Sequence, residues 1–168
     1  MSVVLLASLL LSSHSNAGDS EAYDELLPYY YAAARIGDEE IVDEFIAAGL
    51  PIDIKDDKGY TALMIATYNG RKSIVQSLIN KGADVCAEDK RGNTSLMAAI
   101  FKGEFRIAKL LLTTDCAPDH QNKAGQTAVM YATLFGRSEL RQVLIERGAN
   151  LSLEDNSGNS AISLQANQ

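Results

Sequence analysis

The sequence predicts an all-α solenoid of four full helix-turn-helix repeats closed by a C-terminal half-repeat cap. Three observations carry that prediction. Gly59, Gly92, Gly125 and Gly158 recur at a constant step of 33 residues, as do Gly37, Gly70, Gly103 and Gly136. Thr61, Thr94, Thr127 and Ser160 keep the same step, each just before a short apolar run, where a hydroxyl accepts from the free N–H groups of a starting helix. Each pair of helices is apolar on one face only, so no unit can bury its own core and the units must stack.

Within a unit the chain reads as turn, short helix, longer helix and exit loop. Asp56, Asp89, Asn122 and Asp155 open the turn that holds the first glycine set. Gly70, Gly103 and Gly136 end the inner helix, and Gly82 and Gly148 end the outer one, where left-handed backbone is favoured. Asp115 fills that last place in the third unit, and Asp enters left-handed backbone more readily than most residues. The run from Asp56 to Val85, with its Gly82-Ala83-Asp84 exit, resembles the ankyrin repeat, which has this period. The resemblance implies a scaffold that binds proteins through its turn tips and the concave face of its inner helices. One motif departs from the family. Its Thr-Pro-Leu-His is replaced by Thr61-Ala62-Leu63-Met64, Thr94-Ser95-Leu96-Met97 and Thr127-Ala128-Val129-Met130. The family's His ties neighbouring loops together, so Met leaves that work to packing.

In chain order, residues 1–17 resemble a secretory signal peptide. Val3–Leu11 is apolar but too short to span a bilayer, and Ser15-Asn16-Ala17 has the small-x-small form of a cleavage site. No Lys or Arg precedes the apolar run, which leaves a buried or tethering helix as the alternative. Residues 18–27 read as an acidic lead-in helix. Residues 28–55 form an atypical first repeat, with Pro28 where later repeats have Thr and an outer helix from Glu39 to Ala47. Repeats two, three and four cover 56–88, 89–121 and 122–154, and 155–168 is the half-repeat cap. Aligned outer-helix positions are core by helical spacing: Ile74/Ile107/Leu140, Leu78/Leu111/Leu144 and Ile79/Leu112/Ile145. The column Val42, Val75, Ala108 breaks at Arg141, which predicts a wet face there and an end to the stack.

Little in the sequence can carry catalysis, and the chain reads as a non-enzyme without cofactor or metal. His14 lies in the leader and His120 stands alone in a loop beside Asp119. Every glycine is already assigned to a turn or a cap, which leaves no phosphate loop. The net charge of −7 argues against nucleic acid, whose binding needs Lys and Arg. It suits a protein partner with a basic surface. Cys86 and Cys116 lie in the exit regions of successive repeats, as a candidate disulfide or as two half-buried thiols.

Binding is expected at the residues the repeat does not need for itself. Tyr68, Phe101 and Leu134 share one position of the inner helix and predict an apolar ladder, flanked by Ile36 and Phe135. Arg35, Asn69 and Lys102 adjoin it, and Lys58, Tyr60, Arg91, Asn93 and Gln126 occupy the tips. The resulting reading is a monomeric, exported bacterial interaction module with no membrane span in the mature chain, in a periplasm or outside the cell. The resemblance extends to small exported ankyrin proteins, some of them linked to catalase and oxidative-stress defence. An immunity or inhibitor protein that blocks a toxin or enzyme is the alternative.

Overall fold

The computed structural model describes residues 19–166. The expected leader, residues 1–17, lies outside them. The described residues form nine helices, with one isolated bridge between Glu154 and Ser160 as the only β pairing among them. Helices α1 (Asp19–Ile36) and α2 (Glu39–Ala47) make the first pair. The next three pairs are α3 (Ala62–Tyr68) with α4 (Lys72–Asn80), α5 (Ser95–Lys102) with α6 (Phe105–Leu111), and α7 (Ala128–Leu134) with α8 (Ser138–Glu146). A single short helix, α9 (Ala161–Ala166), follows. Inner helices pack on inner helices and outer on outer, in chain order. None of the described helices is long and apolar enough to cross a membrane.

Helices α3 to α9 have six to nine residues, too few to persist alone in water, so stacking must hold them. Ile74, Leu78, Ile107, Leu140 and Leu144 are essentially fully buried between the two helix layers. Each such side chain contributes about 1.5–3 kcal/mol by leaving water. The third aligned column behaves differently: Leu112 is buried, but Ile79 and Ile145 are only half-buried, at the edge of the apolar stripe. Leu96 is likewise half-buried, whereas its counterparts Leu63 and Val129 are enclosed. Arg141 also keeps part of its side chain in water, and its guanidinium donates to Thr133 Oγ1 at 3.2 Å and to Gln165 Oε1 at 2.6 Å. It therefore clasps α9 to α7 as well as marking a wet face.

In the first repeat no break separates the residues on either side of Pro28. Lead-in and inner helix are one continuous element, α1, with Pro28 inside it. Proline removes one intrahelical hydrogen bond, a loss that is tolerable here because Pro28 is exposed and water can reach the helix. Tyr30 and Phe45 then anchor α1 to α2, with ring centroids 5.6 Å apart and both side chains buried.

The inner helices begin as their hydroxyls predict. Thr61, Thr94 and Thr127 accept from the N–H of Met64, Met97 and Met130, and Ser160 accepts from Ser163. Ahead of each cap the Asx side chain closes the turn. Asp56 Oδ1 accepts from the N–H of Lys58 and Tyr60, and Asp89, Asn122 and Asp155 repeat the arrangement. Neighbouring turns are joined by backbone. Lys90 N–H donates to the Lys58 carbonyl at 3.1 Å, Lys123 N–H to that of Arg91 at 2.9 Å, and Asn156 N–H to that of Ala124 at 2.9 Å. These bonds overturn the expectation that methionine packing alone would tie the loops. They form because the turns approach closely. A Cβ on Gly92, whose φ is +78°, would lie 2.9 Å from the Lys123 nitrogen, so only glycine fits.

The exit loops are less uniform. After α4, Gly82 N–H donates to the Ile79 carbonyl and Ala83 N–H to that of Leu78, and Gly148 and Ala149 repeat this after α8. Asp115 does not take over that role. Among the described hydrogen bonds neither Asp115 nor Cys116 donates back to α6, and Thr113 and Thr114 hold the last carbonyls instead, each through both its N–H and its hydroxyl. Cys86 and Cys116 are joined by a disulfide, with their Cα atoms 5.5 Å apart.

Candidate functional site

The inner helices and the tips of the second and third repeats enclose a groove of about 530 Å³. Its apolar floor comes from helix geometry. Met64, Ile65 and Tyr68 on α3 lie one turn apart, and so do Met97, Ala98 and Phe101 on α5. Tyr68 and Phe101 stack with ring planes 19° apart and centroids at 6.4 Å. Phe101 then meets the edge of Phe135 at 5.0 Å, and Phe135 meets Tyr131 at 5.8 Å. Tyr68, Phe101 and Phe135 keep 46%, 43% and 39% of their surfaces exposed, so the ladder is open to water along its length. Lys102 places Nζ 4.6 Å above the Tyr68 ring, a cation–π contact on that open side.

The rim is basic where the chain as a whole is acidic. Arg35, Lys58 and Arg91 line the groove, and Asp89 is the one carboxylate lining it. That carboxylate is engaged within its own turn, accepting from the N–H groups of Arg91 and Asn93 and from Asn93 Nδ2. None of the ion pairs found among the described residues uses Arg35, Lys58 or Arg91. A ligand therefore meets three cations beside aromatic faces.

Of the residues expected to bind, Arg35, Lys58, Tyr60, Tyr68, Asn69, Arg91, Asn93 and Phe101 line the groove. Some of them are occupied internally. Asn69 Nδ2 donates to the Ile65 carbonyl at 2.7 Å and so caps its own helix. Asn93 Oδ1 accepts from Asn122 Nδ2 at 2.8 Å and from the Tyr131 hydroxyl at 3.2 Å. Gln126 lies outside the lining, with Oε1 facing Asn122 Nδ2. Ile36 and Leu134 are exposed but outside it too, and the ring ladder passes through Phe135 rather than Leu134. Phe135 is the C-cap residue of α7, at the register position of Asn69 and Lys102, and it supplies the ring that meets Phe101.

Tyr131 belongs to the site although its sequence position did not mark it. Its equivalent on α5 is Ala98, and that small residue leaves space for the Tyr131 ring to reach Asn93 across the groove. Burial raises the Tyr131 pKa, with the Asp89 charge adding to the effect, so at neutral pH the phenol keeps the proton it donates.

Tips joined in register, inner helices facing a groove and outer helices behind them are the geometry of a repeat that binds along one face. A profile of three ankyrin repeats matches residues 29–120, more than half of the chain. The chain belongs to the ankyrin-repeat family. Comparison with curated proteins gave no match. Ankyrin repeats are protein-interaction modules and non-catalytic scaffolds, and the groove described above supplies the surface such a module needs.

Proposed function

We propose that this ankyrin-repeat protein holds a partner protein in the groove between Tyr60 and Phe101, by an acidic segment that carries an apolar or aromatic anchor. The observation that supports this reading is the exposed, continuous stack of Tyr68, Phe101 and Phe135 beside the cations of Arg35, Lys58 and Arg91. Aromatic rings already ordered by one another lose little freedom on binding, and they form effective anchors when a partner removes them from water. The basic rim matches an acidic segment and sets its register. A partner with a basic surface, expected from the net charge, would instead meet the acidic remainder of the chain.

The proposal includes export with removal of residues 1–17, supported by the short apolar run, Ser15-Asn16-Ala17 and the bonded cysteines. Support of an oxidative-stress enzyme such as catalase is its narrower form. The basic lining of the groove favours such a scaffold over an inhibitor that plugs a basic nuclease. The test is affinity capture from the native host with the wild-type chain and with Phe101→Ala, both shown to be folded, followed by mass spectrometry. A protein retained by the first and lost from the second supports the reading. Equal retention by both would remove the groove from the function.

A further inference from the structure

The three junctions between repeats on the exit-loop side share one plan, with one exception. At the first, Asp53 Oδ1 accepts from the Asp84 N–H at 2.9 Å. At the third, Asp119 Oδ1 accepts from the Asn150 N–H at 2.7 Å. Asp53, Cys86 and Asp119 occupy one position of the 33-residue register, so Cys86 stands where the other two junctions have their acceptor. The bond to Cys116 takes the place of the hydrogen bond. Cys116 itself occupies the position of Ala83 and Ala149, next to Ala117, whose N–H corresponds to that of Asp84 and Asn150.

Two further observations show why this junction differs. The third exit loop closes its backbone at Thr113 and Thr114, ahead of the register positions where Gly82-Ala83 and Gly148-Ala149 close theirs, so the approach to the junction differs from the other two. The disulfide also spans a sequence separation of 30 residues, and α5 and α6 lie wholly inside that loop. Neither helix of the third repeat can unravel freely while the loop is closed.

We propose that the Cys86–Cys116 disulfide is a redox-set clasp, standing in for the aspartate-to-backbone bond and making cohesion of the second and third repeats depend on oxidation state. Both cysteines are half-buried, and Cys116 borders a second, small cavity of about 160 Å³ with Thr114 and Pro118, which brings solvent to the bond. A dithiol reductant opens it in two steps. One thiolate attacks a cysteine sulfur, the S–S bond breaks, and the other cysteine leaves as a thiolate that takes up a proton. The reductant's second thiol then displaces the first cysteine, closing its own disulfide and completing the transfer of two electrons and two protons. The proposal stands whatever the groove binds.

The test uses the whole chain, prepared without reductant and compared with and without dithiothreitol. Alkylation followed by mass measurement should find no free thiol before reduction and two after it. Reduction should lower the melting temperature by about 5–15 °C and raise amide exchange in α5 and α6 about tenfold. A Cys86→Asp/Cys116→Ala variant restores the residues of the other junctions. It should be insensitive to dithiothreitol and should melt above Cys86→Ala/Cys116→Ala. Free thiols in the unreduced protein, or a shift under about 2 °C on reduction, would overturn the clasp. Equal melting of the two double variants would overturn its equivalence to the aspartate bond.

Discussion

On the tip side, the turns opened by Asp56, Asp89, Asn122 and Asp155 are joined by a backbone N–H of each later turn donating to a carbonyl of the turn before it. On the exit-loop side, two junctions use an aspartate and the middle one a disulfide. The difference separates two kinds of freedom. Tip junctions require only an Asx residue and a glycine, which leaves Lys58, Tyr60 and Arg91 at liberty to face a ligand without loosening the stack. Exit junctions depend on side-chain chemistry, so each can be given its own strength and its own sensitivity to conditions.

The two kinds of junction should differ most at Gly92. Alanine there strains a left-handed residue and also meets the Lys123 nitrogen, whereas Gly158 shares the conformation with nothing within 4 Å of its missing Cβ. Gly92→Ala should therefore cost about 2–4 kcal/mol and Gly158→Ala about 1 kcal/mol by urea denaturation. Next in size is the turn itself. Asp89→Ala removes the acceptor of two backbone N–H groups and should cost about 2 kcal/mol, against about 1 kcal/mol for Asp119→Ala on the exit side. Equal costs would erase the distinction between the two sides.

A smaller effect concerns pH. Burial pushes the Tyr31 phenol up to about 12 and raises Tyr30 further, so both stay protonated in the folded chain where they would ionise in the unfolded one. Their contribution is present below the ordinary tyrosine range and is lost as pH rises through the folded values. Tyrosinate absorbance should lag for these two groups, and alkaline unfolding should begin in the first repeat. The smallest expected effect is that of Lys102→Ala, which should act mainly on association rate and its salt dependence.

Most of the fold was legible because glycines and hydroxyls act locally. Gly59, Gly92 and Gly125 mark turns, and Thr61, Thr94 and Thr127 mark helix starts, wherever the rest of the chain goes. The site was legible only in part, since it depends on what stands opposite. Tyr131 reaches Asn93 where its own counterpart on α5 is the small Ala98, and the ladder continues through Phe135, an aromatic at the register position that Asn69 and Lys102 fill in the two preceding repeats. The unbroken α1 was hidden for the opposite reason: proline is a local signal for a boundary, and solvent exposure made it harmless.

The central claim is that the ring ladder serves a partner and not the fold. Phe101→Ala tests it most directly, with binding to the captured partner and thermal melting measured on the same preparation. Truncating a ring that is 43% exposed should leave the melting temperature nearly unchanged, and losing the central anchor should weaken binding more than about tenfold. A protein that unfolds while its folded fraction binds with full affinity would contradict the account.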